Sequence, residues 1–544
     1  MKIILMQPPI QDFYDTDVRL QPLGLCFLKA VLAERCPEVK VVVRDFHHGW
    51  GRRTIPIPRE LGYLKKYYSQ PNQSPFSSFH QYYHFGLSFE KIAEEIAKEN
   101  PDLVGISALF SPYYREVFEC AAAIRNKTAT QIVIGGGQAT CSPQLMLGNA
   151  NIDFIIRGEG ERPLVELVKA LRSGGDLGQV PNLGYKKDGD MRLNPVSANY
   201  PFAELPAPDL SDLPLDRYSY NHAPLTFIQS SRGCPHRCSF CSVHQVFGRQ
   251  YRRRGPEKII AEMQQRYREG FRVFDFEDDN LTLDRREILA LCALIRQNFS
   301  DRKISLLAMN GISYQSLDQE VLTHMRRAGF ARLNLALVSS DQRVLKNINR
   351  FQDTDKFHGV IRMATELGFE LEVHQIIGLP GEELSSMIRT LVVLAQLPVL
   401  IGVSLFYLTP GAPIAASFPE MTAGDIFRSR STAMAVTSAA CGRDDLFTLF
   451  TTARIINFLK GLPVDDIQLT DILEENNCGQ GRVATGVALL RKLLTEKKLY
   501  AAGKNGLKLI PRFRYALFEK IRAEAGFITT QRNKNIHVAN GSRQ

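Results

Sequence analysis

The sequence predicts an α/β protein in which a doubly wound parallel sheet is followed by six further β/α units and then by a mainly helical region. Two runs of alternating strand and helix patterns predict this class, at 1–173 and at 221–411. A stretch rich in Pro, Asp and Gly, 174–220, separates the runs and is expected to be an extended linker. Residues 412–544 have mainly helical patterns, and the tail from 528 is expected to be disordered.

Five short apolar runs predict the strands of the first sheet, which would be flavodoxin- or Rossmann-like. They are KIILMQPP, VKVVVRDF, PDLVGISAL, TQIVIGGGQAT and DFIIRGEGE, and amphipathic stretches such as FEKIAEEIAKEN lie between them. Sheets of this kind bind ligands beyond the carboxyl ends of their strands. The fourth and fifth runs both end in glycine-rich turns, so we expect a ligand at that edge.

Residues 50–90 interrupt the alternation with an aromatic insertion. Its tyrosines and phenylalanines include Tyr63, Tyr67, Tyr68, Phe76, Phe79, Tyr82, Tyr83 and Phe85. A loop with so many aromatic side chains is expected to cover either an edge of the core or a flat ligand.

Six strand patterns in 221–411 predict a partial (β/α)6 TIM-like barrel with its site at the C-terminal ends of the strands. They are LTFIQSSRG, FRVFDFEDD, KISLLAMNG, ARLNLALVSS, LEVHQIIGLP and LIGVSLFYLTPG. The motif SRGCPHRCSFCSV overlaps the end of the first pattern. It therefore lies where such a barrel carries its chemistry. In the C-terminal region, 489–513 predicts a helix followed by a hairpin that turns at 504–506.

The composition is that of a globular protein, with 544 residues, 44% hydrophobic residues and a net charge of +10. We expect no membrane span and no signal peptide. Ten cysteines, mostly isolated, favour a reducing compartment and hence a cytoplasmic protein. The basic run 249–258 is either a solvated face or the lead-in to a helix, or else it attracts an anionic ligand or substrate. Nucleic acid is not an expected partner, because no RNA-binding motif accompanies the charge.

Cys234, Cys238 and Cys241 form a CxxxCxxC pattern that predicts a metal site. Thiolates are the usual ligands of iron–sulfur clusters. Three thiolates would leave one iron of a cubic cluster open to a substrate or cofactor, as catalytic zinc sites keep one open position. A zinc site completed by His236 or His244 is the alternative.

The stretch CPHRCSFC resembles the motif of the radical S-adenosylmethionine (SAM) superfamily. The resemblance implies a [4Fe-4S] cluster, bound by the three catalytic cysteines, whose open iron binds SAM. One electron then cleaves SAM to a 5′-deoxyadenosyl radical. The segments 276–282, 308–313, 337–350, 376–382 and 406–414 also resemble recurring parts of the superfamily. The implied cofactor contacts are Phe240, Glu277, Asn310, Ser339 and Gly378, although Val338 stands where many relatives carry Glu.

A doubly wound domain ahead of such a barrel resembles the cobalamin-binding class of radical SAM enzymes. The turns GGGQAT and RGEGE carry this resemblance, together with a serine that ends the third strand. The implied cobalamin contacts are Ser107, Gly135, Gly136, Gly137, Gln138, Thr140, Gly158, Glu159, Gly160 and Glu161. The loop after the first strand lacks the DxHxxG motif, and DFHHGWG follows the second strand instead. The resemblance therefore implies cobalt without a histidine ligand.

The two implied cofactors predict a methyltransferase that acts on an unactivated carbon through the radical and methylcobalamin. An oxidative cyclase or a rearrangement enzyme is the alternative that uses both cofactors. A non-catalytic iron–sulfur and cobalamin carrier or sensor is the alternative from another class, and it would not cleave SAM. The expected partners are a small-molecule substrate and an electron donor such as flavodoxin or ferredoxin.

Overall fold

The structure is a computed structural model that describes residues 1–16, 21–68, 72–197, 200–300, 303–460 and 481–526. The tail from residue 528, which the sequence predicts to be disordered, lies outside these ranges. Within the described ranges, every helix is too short or too polar to cross a membrane.

The N-terminal part alternates strands and helices. Its strands are β1 (Lys2–Gln7), β2 (Ile10–Asp12), β3 (Lys40–Asp45), β4 (Arg52–Thr54), β5 (Tyr83–Phe85), β6 (Leu103–Ser107), β7 (Gln131–Gly135), β8 (Phe154–Ile156), β9 (Leu183–Lys187) and β10 (Asp190–Leu193). Its helices are α1 (Leu23–Arg35), α2 (Phe89–Glu99), α3 (Tyr114–Arg125), α4 (Gly137–Cys141), α5 (Pro143–Leu147) and α6 (Glu161–Ser173).

A seven-stranded sheet in the order β10-β9-β8-β7-β6-β1-β3 forms the centre of this part. Strands β3, β1, β6, β7 and β8 are parallel and correspond to the five predicted strands. The stretch predicted as a linker differs from that expectation, because β9 and β10 extend the sheet in antiparallel orientation. Asp188 and Gly189, with φ of 52° and 85°, form the tight turn between them. Asp-Gly is a frequent hairpin turn, which explains why 183–193 pairs with the sheet.

The second part begins with β11 (Ser219–Tyr220) and ends with β19. Its other strands are β12 (Ala223–Ile228), β13 (Ser231–Arg232), β14 (Arg252–Arg253), β15 (Val273–Phe276), β16 (Ser305–Leu307), β17 (Arg332–Ala336), β18 (Glu370–Ile377) and β19 (Leu400–Leu405). Its helices are α7 (Val243–Phe247), α8 (Pro256–Glu269), α9 (Arg285–Phe299), α10 (Gln319–Ala328), α11 (Gln342–Asn347), α12 (Thr354–Glu366) and α13 (Leu384–Ala395).

The six predicted barrel strands are present as β12, β15, β16, β17, β18 and β19. The first three pair in parallel, and so do the last three. Parallel bridges from Leu306 to Phe330 and from Ile312 to Leu335 join the two halves. The six strands therefore follow one another in chain order around an open barrel, as the sequence predicts.

Local signals explain where the barrel helices begin and end. Asp284, Asp318 and Asp353 precede α9, α10 and α12, and each carboxylate accepts a hydrogen bond from a backbone N–H in the first turn. Gly270 and Gly329 end α8 and α10 in the left-handed conformation, which glycine adopts without steric cost. These caps fix the lengths of the helices and hence the positions of the loops at the strand ends.

The remaining elements form the C-terminal part. They are α14 (Ala423–Phe427), α15 (Arg443–Lys460), α16 (Arg482–Glu496), β20 (Tyr500–Gly503), β21 (Gly506–Leu509) and α17 (Tyr515–Ala525). Strands β20 and β21 pair antiparallel across Lys504 and Asn505, which confirms the predicted hairpin.

The aromatic insertion is packed against the C-terminal part. Leu61, Leu64 and Tyr68 are buried in the largest core cluster. The hydroxyl of Tyr67 donates to Asp444 at 2.7 Å, and that of Tyr68 donates to the carbonyl of Thr432. The expectation that the insertion covers an edge of the core is confirmed.

Candidate cluster and cobalamin sites

The loop that carries the three cysteines begins at a glycine that no other residue could replace without displacing the backbone. Gly233 has a φ of +83°, and a Cβ there would lie 2.3 Å from the carbonyl oxygen of Gln250. Its N–H donates to Asp279 Oδ2 at 2.8 Å. The glycine lets the loop turn sharply at the end of β13, and the aspartate fixes that turn.

A second aspartate holds the segment that leads into this loop. Asp278 is buried and accepts hydrogen bonds from the hydroxyls of Ser230, at 2.8 Å, and Ser231. Burial raises the pKa of Asp278 to about 6. Its backbone carbonyl accepts the side-chain amide of Asn310 at 3.0 Å. The carboxyl ends of β12, β15 and β16 are thus tied together directly below the cysteines.

The three cysteines lie on one loop with different exposure. Cys238 is buried, and Cys234 and Cys241 are partly buried, with none of the three in a disulfide. Burial raises the pKa of the Cys234 and Cys241 thiols, so a bound metal would be needed to hold both as thiolates. Among the described residues, no three His, Cys, Asp or Glu side chains converge closely enough for a single ion. A cubic cluster needs no such convergence, because each cysteine binds a different iron.

The structure brings several segments that resemble the superfamily around this loop. Ser239 N donates to the carbonyl of Ile348 at 2.9 Å, and its own carbonyl accepts Ile414 N at 2.8 Å. Arg350 donates to Cys238 Sγ at 3.5 Å. Phe240 packs beside Val338 in a small apolar cluster. The segments 337–350 and 406–414 therefore border the cysteines directly.

The other predicted SAM contacts differ in what they already bind. Glu277 lies at the end of β15, where its N–H donates to the carbonyl of Ile228 at 2.8 Å. Ser339 is fully buried and donates to Glu382 Oε1 at 3.1 Å. Gly378 has a φ of +82° and packs against Leu446. Contacts of these residues with SAM stay predictions.

Two glycines after β7 allow a close approach of backbone to backbone at the edge of the N-terminal sheet. A Cβ at Gly136, whose φ is +114°, would lie 2.8 Å from the carbonyl oxygen of Ala108. A Cβ at Gly137 would lie 2.7 Å from the carbonyl oxygen of Leu109. At Gly135 no described atom lies within 4 Å of that position, so the backbone is open there. Strands β6 and β7 thus end in a cradle, where Ser107 pairs in register with Gly135.

Thr140 joins the two glycine-rich turns. Its hydroxyl donates to the carbonyl of Gly136 at 2.9 Å and accepts the N–H of Gly158 at 2.9 Å. Gly158 has a φ of +69°, and Gly160 precedes α6 with the side chain of Leu28 against it. One side chain therefore fixes the relative position of both turns.

This edge of the sheet suits a large flat ligand such as cobalamin. Gln138 is fully buried, and neither atom of its amide has a hydrogen-bond partner among the described residues. A buried amide without partners is costly, and a ligand amide could satisfy it. Leu109 and Phe110, which follow β6, are 51% and 42% exposed. An apolar surface beside open glycine backbone is what a corrin ring would cover.

The carboxylates of Glu159 and Glu161 bind arginines of the barrel, which sequence reasoning missed. Both accept hydrogen bonds from Arg232 Nη1, at 3.0 Å and 2.7 Å, and all three side chains are at most 5% exposed. Arg252 adds a second pair to Glu159 at 2.8 Å. Any contact of these two glutamates with a cofactor would therefore be made through their backbone, and such contacts stay predictions.

The basic run 249–258 leads into α8, which is one of the interpretations that the sequence suggests, and three of its arginines form ion pairs within the fold. Arg252 binds Glu159, Arg253 binds Asp284 at 2.6 Å, and Arg254 binds Glu262 at 2.6 Å. These arginines are engaged in ion pairs within the fold, because their partners lie on or next to neighbouring helices and in the N-terminal part. The one sequence feature that could have indicated the pairs with Glu159 and Glu161 is Arg232, a charged residue two positions before Cys234.

The cradle faces the cysteine loop across α7. A Cβ at Gly158 would lie 3.7 Å from the carbonyl oxygen of Val246, in α7. Gly411, which follows β19, lies against both Cys141 of α4 and Gln245 of α7. Since α7 begins two residues after Cys241, the glycine cradle and the cysteines lie on either side of this one short helix.

The two histidines after β3 lie apart from the cradle. His47 is fully buried, and its N–H donates to Asp45 Oδ1 at 2.8 Å. His48 stacks on Tyr218 with ring centroids 5.0 Å apart. Both therefore contribute to packing, and the expectation of cobalt without a histidine ligand stays a prediction.

Family models match both parts of the chain. Residues 228–394 match the radical SAM superfamily, and residues 73–168 match the B12 binding domain. The first match contains the cysteine loop and the second contains both the cradle and α3. The two family matches therefore include the residues on both sides of α7.

Several curated proteins are similar in sequence. An uncharacterized methyltransferase of Pyrococcus horikoshii is 31% identical over 54% of this chain and 64% of its own length. The cytidylyl-2-hydroxyethylphosphonate methyltransferase of Streptomyces wedmorensis is 25% identical over 71% of this chain and 75% of its length. An anaerobic magnesium-protoporphyrin IX monomethyl ester cyclase of Cereibacter sphaeroides is 28% identical over 56% of this chain and 51% of its own length. The chain thus spans between half and three quarters of these relatives.

Two solved structures share the fold. The radical SAM methyltransferase TsrM from Kitasatospora setae, with cobalamin and a [4Fe-4S] cluster bound, is 19% identical, with a TM-score of 0.59 over 77% of this chain and 78% of TsrM. The cobalamin-dependent radical SAM enzyme OxsB, with aqua-cobalamin bound, is 16% identical, with a TM-score of 0.62 over 91% of this chain and 79% of OxsB. The chain therefore combines a radical SAM domain, which carries the three cysteines, with a B12-binding domain, which carries the glycine cradle, and the cofactors of these two families are a [4Fe-4S] cluster, SAM and cobalamin.

Proposed function

We propose that this enzyme is a methyltransferase that methylates an unactivated carbon of a small molecule. The observation that carries the proposal is the position of α7, a single short helix that separates the cysteine loop from the glycine cradle. A substrate held there would lie within reach of both cofactors, as sequential hydrogen abstraction and methyl transfer require. The similarity to two proteins named methyltransferases supports the same reaction class.

The chain's own residues would bind and separate the two cofactors. Cys234, Cys238 and Cys241 would hold three irons and leave the fourth for SAM. Arg232, through its pairs with Glu159 and Glu161, keeps the cysteine loop at a fixed position relative to the cradle. When bound, the cluster and SAM supply a radical for hydrogen abstraction, and cobalamin supplies the methyl group.

Apolar side chains beside the cluster would exclude water from the reacting centre. Phe240 packs in one cluster with Val338, Leu379 and Phe406 next to the cysteines. Exclusion of water protects a radical from side reactions. A flavodoxin or ferredoxin would supply the electron, in a reducing compartment such as the cytoplasm.

An oxidative cyclisation is the second candidate, favoured by the similarity to the anaerobic cyclase. It would use the same two cofactors, bound on either side of α7. It differs in that no methyl group leaves SAM, so S-adenosylhomocysteine would not accumulate.

Anaerobic reconstitution with iron, sulfide and hydroxocobalamin, followed by SAM and a strong reductant, tests the proposal. We expect stable uptake of cobalamin and formation of both 5′-deoxyadenosine and S-adenosylhomocysteine. The Cys238→Ala variant is the control, and it should keep cobalamin and lose 5′-deoxyadenosine.

Each other outcome assigns a different function. 5′-Deoxyadenosine without S-adenosylhomocysteine, in protein that retains cobalamin, would contradict the methyltransferase and support the cyclase. Absence of both products from fully loaded protein would contradict both enzymes and support a carrier or sensor.

A further inference from the structure

Arg454, in the middle of α15, is a partly buried cation that the described residues leave without a carboxylate partner. Its Nη1 donates to the backbone carbonyl of Ser77, and its guanidinium lies over the ring of Phe450 at 4.8 Å. Burial lowers the pKa of Arg454 to about 10, so it is still charged at neutral pH. A charge removed from water without an opposite charge is costly, unless a ligand supplies one.

The nearby acidic group is already engaged. Asp15 opposes the pKa shift of Arg454 by its charge. Its side chain lies 3.6 Å from His80 and 3.8 Å from Arg52, and it is half exposed. It therefore does not neutralise Arg454.

A row of partly buried aromatic rings runs from Arg454 to Tyr14. The rings of Phe450 and Phe79 stack with centroids 5.7 Å apart, and Phe79 meets Tyr14 edge to face at 5.8 Å. We call Tyr14, Phe79, Phe450 and Arg454 the aromatic lane. None of the four is fully buried, so each keeps a surface that a ligand could contact.

The Tyr14 end of the aromatic lane lies close to the cluster. Tyr14 Oη is 3.5 Å from Ser431 Oγ, and nearby Ser429 donates to the carbonyl of Leu408 at 2.6 Å. Leu408 belongs to the segment 406–414, in which Ile414 N donates to the carbonyl of Ser239, between Cys238 and Cys241, at 2.8 Å. The lane thus begins at the segment that borders the cysteine loop and ends at a cation.

We propose that the aromatic lane binds the substrate, and that the substrate is a flat apolar molecule with an oxyanion at one end. Arg454 would bind the oxyanion, since a guanidinium presents several donors in the geometry of a carboxylate or phosphate group. The rings of Phe79 and Phe450 would contact the apolar body, whose far end would then lie at the cluster. This inference rests on the proposed function, because it names the substrate class of the same site.

Calorimetric titration of the full chain, loaded with cluster and cobalamin but without SAM or reductant, tests the inference. The probes are phenyl phosphate and benzoate, with benzyl alcohol as their neutral counterpart. We expect wild type to bind at least one of the two anions more tightly than benzyl alcohol. Arg454→Met should raise the dissociation constant of that anion at least tenfold and leave the dissociation constant of benzyl alcohol unchanged. Arg454→Lys should bind the anion with an affinity between those of wild type and Arg454→Met. The tighter anion identifies the phosphate or the carboxylate class.

Arg443→Met is the matched control. Arg443 begins the same helix and lies over the ring of Tyr63 at 4.5 Å, outside the aromatic lane. The Arg443→Met variant should bind all three probes as wild type does. Equal binding of the anions by wild type and Arg454→Met, equal weakening in Arg443→Met, or no anion binding by wild type at millimolar concentration would overturn the inference.

The two proposals fail in distinguishable ways. Titration uses neither SAM nor reductant, so it is independent of whether S-adenosylhomocysteine forms. If Arg454→Met does not take up both cofactors, the Phe450→Leu variant is used in its place. Phe450→Leu should bind all three probes more weakly than wild type does. Unchanged binding by a loaded Phe450→Leu would contradict the aromatic lane as well.

Discussion

Ser339 and Glu382 form a buried polar pair next to the SAM domain's core. Ser339 donates to Glu382 Oε1 at 3.1 Å, and both side chains are at most 1% exposed. Burial, as the largest cause, raises the pKa of Glu382 from 4.5 to about 8. The carboxyl is therefore protonated in the folded protein at neutral pH and ionised in the unfolded chain.

This pair predicts a pH dependence of stability that Glu382→Gln should remove. Because the folded pKa lies above the unfolded one, the folded state holds the proton more tightly. The stabilisation is complete below about pH 4.5 and is lost as the pH rises through about 8. Relative to Glu382→Gln, wild type should lose up to about 5 kcal/mol of unfolding free energy across this range, since one pKa unit corresponds to about 1.4 kcal/mol.

Chemical denaturation of the full chain at a series of pH values measures the difference. Glu372→Gln is the control, since the pKa of Glu372 is lowered and its neutral replacement should not share this profile. A parallel pH dependence in wild type and Glu382→Gln would show that Glu382 is ionised in the folded protein.

Single residues also show what the sequence could and could not predict about the site. Cys234, Cys238 and Cys241 were predictable, because cluster ligands are close in sequence and their spacing is specific. The side-chain roles of Glu159 and Glu161 were not, because their partner Arg232 lies more than 70 residues away. A spacing motif records only short separations along the chain, and a folded ion pair can join any two positions.

At the scale of elements, α4 and the two glycine-rich turns form one unit through Thr140. The strands that end at these turns were predictable from their apolar runs, and so was the position of the cradle at their carboxyl ends. The hairpin β9–β10 was missed because its exposed strand Asp190–Leu193 has no apolar run. Only the Asp188-Gly189 turn indicated it.

Thr140→Val should weaken cobalamin binding without loss of the cluster. The variant keeps the shape of the side chain but leaves the N–H of Gly158 without its partner, at a cost of about 1–3 kcal/mol. We expect the dissociation constant of cobalamin to rise about tenfold, since about 1.4 kcal/mol corresponds to a factor of ten. Absorbance titration of the apoprotein with hydroxocobalamin measures it.

Thr128→Val provides the matched comparison. Thr128 also donates to the carbonyl four residues before it, at 3.2 Å, but it lies at the end of α3 and accepts no N–H from the cradle. The Thr128→Val variant should bind cobalamin as wild type does. Equal affinities for all three proteins would mean that the relative position of the turns does not matter for binding.

At the scale of the whole molecule, the two cofactor domains are joined by buried charges. Arg232 lies between Glu159 and Glu161, with Phe27, Phe202 and Phe247 around its guanidinium at 4.8–5.4 Å. Removal of one member of such a group leaves uncompensated charge, which costs about 3–5 kcal/mol. The order of the two domains was predictable from the sequence, but this junction between them was not.

Arg232→Met should therefore impair both cofactor sites together. We expect lower iron content and lower cobalamin uptake after reconstitution, because the substitution loosens the cradle and the cysteine loop at once. Arg285→Met is the control, since Arg285 forms exposed pairs with Asp318 and Glu320 that contribute about 1 kcal/mol or less. Loss of iron with full cobalamin uptake would show that the junction serves the cluster alone.

The packing of the aromatic insertion against the C-terminal part has a consequence for biosynthesis. Tyr67 and its partner Asp444 are 377 residues apart in the chain. At about 5–20 residues per second, a ribosome needs roughly 20–75 s to make that length. During this interval the insertion has emerged without the helix that covers it, and its rings are open to association with other chains. The nascent protein is therefore expected to depend on chaperones until translation has passed residue 460, however stable the N-terminal sheet is by then.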